Sequence, residues 1–171
     1  MGFFVTSVGM GDGANLGGLA GADAYCKKLV EAAGSQGRTW RAYLSTHFEG
    51  KRGVSARDRI GRGPWYNARG DLIASDLDQL HISPNLVKRT AVDQNGALVK
   101  GRGDKPNQHD ILTGSKDDGT AYFPWEREIS PAPTGPATTR EARRSGIMTV
   151  MAAAIYPGSP PTPRAAAVRK T

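Results

Sequence analysis

Eight of the eleven prolines in this 171-residue chain lie beyond Phe123, and they divide it into two unlike parts. Proline locks φ and has no N–H to donate, so a proline-rich stretch suits neither a helix interior nor a central strand. Residues 130–137 and 157–163 are of this kind, and 164–170 are mostly alanine and basic residues. The tail shows no strand alternation and one short apolar stretch, at 147–155. This composition predicts disorder over 124–171 and places the folding part in residues 2–123.

Charge divides at the same point. The chain carries 23 Lys+Arg against 16 Asp+Glu, a net +7. Residues 124–171 hold seven basic and three acidic residues, while 1–123 hold sixteen and thirteen. A basic balance suits nucleic acid or an anionic surface, but most of the excess sits in the part that does not look folded, so nucleic acid is not an expected partner. No run approaches the ~18 apolar residues of a membrane span. Residues 1–5 lack the charged region and cleavage site of a signal peptide. Cys26 is the single cysteine, which alone indicates a reduced compartment or no redox role.

Within 2–123, residues 3–8 form a β-rich run closed by glycine, read as a buried strand. After a glycine-rich loop, Leu19, Ala22, Cys26, Leu29, Val30 and Ala33 recur at helical spacing on one face, with Gly34 as the stop. Asp23 and Lys27 make a favourable i, i+4 pair on that helix. Residues 39–45 alternate bulky and polar side chains, as a half-buried strand does. From 47 to 115 short apolar runs are separated by turn signals. One long helix, few strands and a loop-rich half define an α+β domain whose loops carry function.

Candidate sites are sparse. Gly9, Gly11 and Ala14 imitate a dinucleotide fingerprint, in which glycines let a pyrophosphate approach a helix N-terminus. The strand ending Leu44-Ser45-Thr46 supplies no ribose-binding acid, so a simple turn is the favoured reading. Arg102-Gly103-Asp104 is an integrin-type tripeptide, but beside Pro106 it is ordinary turn chemistry. His47, His81 and His109 show no ligand-like spacing, and His109-Asp110 lacks a third partner. Trp40 is expected in the core; Trp65 and Tyr66 are the better candidates for stacking on a sugar, with core placement still favoured. No catalytic residue, metal ligand or cofactor is assigned.

Longer blocks carry more information. Residues 21–26 (G-A-D-A-Y-C) followed by 38–45 (R-T-W-R-A-Y-L-S) resemble the collagen endostatin domain, and 111–119 resemble a later turn of that family. More closely, residues 2–122 resemble bacterial secreted lectin-like proteins, through the blocks at 3–9, 16–23, 56–67 and 106–115. The resemblance implies a C-type-lectin-like fold, export and two disulfides, with Cys26 paired to the last cysteine of an intact chain. The family continues past Phe123 with T-C-x-N-W-T-S, V-G-H-H-D-R and S-H-P-x-R-G-C-S-Q, which are absent here.

A shifted frame returns them. Reading each codon from the third base of the preceding residue turns 128–136 into N-F-T-C-T-N-W-T. The same shift turns 144–151 into V-G-H-H-D-R-N-G and 156–169 into P-W-I-A-S-H-P-P-R-G-C-S-Q. The expectation is a frameshift near Phe123, which the coding DNA tests: a sequence in which no single-base change restores these blocks rules it out. Cys26 then lacks its partner because the domain is truncated, and loss of a native disulfide costs about 2–5 kcal/mol. An upstream start encoding a signal peptide is part of the same expectation.

The sequence thus implies a non-enzymatic extracellular or periplasmic binding module for a glycan or a surface or matrix protein. The alternatives are an endostatin-like module binding anionic glycans through basic patches, and a nucleotide-binding enzyme using residues 9–14. The calcium-and-sugar triplets of calcium-dependent lectins are missing, so "lectin" names a fold and no ligand follows from it.

Overall fold

The structure is a computed structural model that describes residues 1–10, 15–46, 53–106, 108, 111–123 and the backbone of 151–155. It is a small α+β arrangement of two helices and a few short strands. In chain order these are β1 (Phe3–Val5), α1 (Gly18–Ala32), β2 (Thr39–Ala42), a 3₁₀ turn (Ala56–Asp58), β3 (Trp65–Tyr66), β4 (Leu72–Ala74), α2 (Leu77–Ile82) and β5 (Met151–Ile155). The strands β1, β5 and β2 form a sheet in that order, β5 running antiparallel to both neighbours. A second, two-stranded sheet pairs β3 with β4.

Strand alternation sets the two cores. Phe4, Trp40, Ala42 and Leu44 pack with Ala22, Cys26 and Val30 of α1. Phe3 and Tyr43 instead join Ile60, Trp65, Ile73 and Leu80 in the loop-rich half. Adjacent residues on one strand point to opposite faces, so Phe3 and Phe4 feed different clusters from one peptide unit. Phe4 meets Trp40 edge-on with ring centroids 5.0 Å apart. Burying such an aromatic is worth several kcal/mol; truncation to alanine costs about 3–5.

The helix follows its sequence pattern closely. Ala22, Cys26 and Val30 are buried, and Leu19 and Leu29 pack at the margin. Gly34 takes φ 86° just past the end, where Ser35 N–H reaches Val30 C=O at 3.0 Å and closes the last turn. A Cβ on Gly21 would collide with the Leu16 carbonyl, so only glycine lets the incoming loop lie against the helix there.

Two expectations differ from what is found. Asp23 does not pair with Lys27, which lies 3.8 Å from Glu31; Asp23 faces inward instead and is held by arginines of other segments. A buried carboxylate needs hydrogen-bonding partners that an exposed i, i+4 lysine cannot supply. Of residues 124–171, for which the composition predicts disorder, 151–155 form β5 at the centre of the sheet. A central strand flanked on both sides need not alternate, so Met-Ala-Ala-Ala-Ile carries no period-two signal. The rest of 124–171, for which disorder was expected, lies outside the described residues.

Candidate functional site

The blocks at 16–23, 38–45 and 56–67 meet at one place, and their contacts there hold the fold together. The Asp23 carboxylate accepts from Ala42 N–H at 2.8 Å, from Arg41 Nη1 at 2.7 Å and from Arg59 Nη2 at 2.8 and 2.7 Å. Arg59 Nη1 also donates to the Ala42 carbonyl at 2.8 Å. Three separate stretches thereby seal the outer edge of β2, whose N–H would otherwise be an unpaired buried donor. Nearby, the Ser45 hydroxyl lies 2.7 Å from that of Ser115 and accepts from Ala56 N–H at 2.8 Å. The 115–121 hairpin is thus locked to the segment that follows β2.

Cys26 sits fully buried behind this network with a free thiol. Burial, with Asp23 alongside, pushes that thiol up to about 12. A thiolate is the reactive form, so Cys26 is inert while the domain is folded.

His81 lies on α2 against Tyr43. Its Nδ1 is 2.6 Å from the Leu77 carbonyl, which can only accept, so Nδ1 carries the proton. Nε2 lies 2.8 Å from the Tyr43 hydroxyl, which donates to it when the ring is neutral. Burial raises the Tyr43 phenol to about 12. A Cβ on Gly119 would strike both His81 and Tyr43, so the hairpin glycine caps the pair. His47 and His109 lie outside the described residues. Among the described residues no group of three or more His, Cys, Asp or Glu side chains converges as a metal requires.

Trp65 is fully buried and Trp40 nearly so, which makes both core residues; Tyr66, next to Trp65 on β3, is half-buried. Of the glycine loop, Gly9 is described but residues 11–14 are not. The sheet around that loop is antiparallel, whereas a dinucleotide fold needs β1 and β2 as adjacent parallel strands.

What remains is a groove on the opposite side of β1. Val5, Leu86, Val87, Ala91, Val99 and Ile111 give it an apolar floor, and Lys88, Lys100 and Arg102 line its rim, around about 340 Å³. Its walls are fixed by backbone bonds: Val5 N–H to Val92 C=O at 3.0 Å, and Val99 N–H to Ala91 C=O at 2.9 Å. The 101–104 turn closes one end, with Gly103 at φ 90°. The Asp104 carboxylate accepts from Gly101 N–H at 2.9 Å and lies 3.0 Å from Lys88 Nζ. Those contacts, the Gly101 amide first, hold it below the usual carboxylate range. The integrin-type tripeptide is therefore a turn whose acid is engaged within the chain.

Charge collects here. Residues 86–106 contain five basic and two acidic residues, a net +3, and 1–123 as a whole is also +3. One of the two acids, Asp93, is buried, while Lys88, Arg89, Lys100, Arg102 and Lys105 are all exposed. Among the described residues neither Arg89 nor Arg102 has an acidic partner. Dividing the charge only at Phe123 concealed this; a shorter window over the sequence would have found the cations, though not the floor they surround.

No protein-family model and no curated protein matches this chain. Among the described residues no helix is long and apolar enough to cross a membrane.

Proposed function

We propose that this chain is a non-enzymatic, lectin-like binding module acting outside the cytoplasm, and that it meets an anionic glycan at the groove rimmed by Lys88, Lys100 and Arg102. The observation that carries the ligand class is a cluster of exposed cations beside an apolar surface. Residues 86–106 carry a net +3 with all five of their cations exposed, and Lys88, Lys100 and Arg102 line the apolar groove. Sugar rings present an apolar face and, when sulfated or carboxylated, an anionic edge; a greasy floor with a cationic rim complements both. The C-type-lectin-like fold, export and the module class rest on the sequence blocks that resemble secreted lectin-like proteins. A surface or matrix protein bearing such glycans is the natural partner.

The test is binding of the 171-residue chain to arrays of neutral, carboxylated and sulfated glycans, with and without Ca²⁺, across a salt series. Binding confined to acidic glycans and lost as salt screens the rim is expected. Retention only on neutral sugars, or no glycan binding at all, defeats the reading.

A further inference from the structure

In the sheet, β1 and β2 are neighbours only by way of β5. The Val5 N–H goes to Val92 and the Ala42 N–H to Asp23, so both outer edges are already occupied. Successive residues of a strand face alternate sides, which turns Phe4 and Arg41 inward to β5. Their register partners are Ala152 and Ala153. The two strands thus frame a slot one strand wide, walled by two ladders and floored on its faces by two separate cores.

The strand that fills it reaches it from Phe123 through residues 124–150, four of them proline. A connection of that length spans up to about 90 Å when extended, far more than a tight hairpin requires. Its occupant, Met-Ala-Ala-Ala-Ile, brings no polar group or pattern to select one register partner over another. Main-chain ladders supply affinity without regard to sequence, so the slot asks mainly for an extended, uncharged strand.

We propose that the β1–β2 slot is a strand acceptor, and that it takes residues 151–155 from a second copy of this chain as well as from its own. Strand exchange between identical copies preserves every ladder bond and needs only a long connection. The chain's own strand is held near the slot at an effective concentration on the order of mM, so exchange dominates when that strand is disabled or the protein is concentrated.

Two full-length variants test this. Ala153→Pro removes the N–H directed to β2 and leaves the slot intact, while Phe4→Pro spoils the slot and leaves the strand. Near-UV circular dichroism, thermal melting and light-scattering mass are read for wild type, each variant and their equimolar mixture. Each variant alone is expected to lose the wild-type near-UV signal and its cooperative melt. The mixture is expected to regain both, to at most half the wild-type amplitude, at the mass of a dimer. A synthetic peptide of residues 147–157 is expected to rescue Ala153→Pro alone. A mixture that stays as two unassembled chains overturns the proposal, as does rescue by the peptide without rescue by the second chain. So does an Ala153→Pro variant that melts like wild type, or a wild type with no near-UV signal.

Discussion

The Asp23 network and the groove rim are made from the same kinds of side chain, yet the fold treats them in opposite ways. At Asp23 one carboxylate is held by two guanidinium groups and a backbone amide, and the Asp23 and Arg59 side chains are each only 11% exposed. Around 86–106 five cations are exposed, and Asp104 meets one of them. Charges that face each other inside a protein hold segments together; charges that face water without partners are available to something else. Position, and not residue type, separates the two sets of charges.

The sharpest break between the regions is expected at Asp23. Asp23→Ala leaves Arg59 buried without its partner and should cost about 3–5 kcal/mol in urea unfolding, whereas Lys88→Ala should stay within about 0.5. Equal costs would erase the distinction. Cys26, behind the network, should react with a thiol reagent at pH 8 on the order of a thousandfold more slowly than a free thiol, becoming accessible in denaturant. Replacing Lys88, Lys100 and Arg102 together by Ala should weaken binding to sulfated glycan at least tenfold, about 1.4 kcal/mol, with no fall in melting temperature. If the melting temperature falls instead, the rim is structural after all.

A smaller effect comes from pH. Cys26 and Tyr43 both have folded values near 12, above their ordinary 9.0 and 10.0. A group raised in the folded state stabilises fully below its unfolded value and loses that contribution as pH climbs through the folded one. Stability should thus decline between about pH 9 and pH 12. The Cys26→Ser variant should show a shallower decline, and an unchanged profile would mean the thiol ionises freely in the fold. Least of all, Asp104→Asn should shift stability by under about 1 kcal/mol, since its pair with Lys88 is exposed.

Helical spacing made α1 legible from sequence to within a residue or two, together with its buried face of Ala22, Cys26 and Val30. Alternation also placed Trp40 inside. The Asp23 partners were not legible, because Arg41 and Arg59 reach it across 18 and 36 residues and local pairing rules see only Lys27. β5 escaped because three alanines carry no periodicity. The groove escaped because its floor is gathered from Val5, Leu86, Val99 and Ile111, which no motif links.

Among the described strands, the middle one of the sheet is also the last to be made. When Phe123 is added to the growing chain, β1, α1 and β2 have all been translated, yet the slot between β1 and β2 has nothing to fill it. At ~5–20 residues per second, the interval until residue 155 is added lasts about 2–6 s. Throughout it, every nascent chain presents two facing strand edges to its neighbours on the same message.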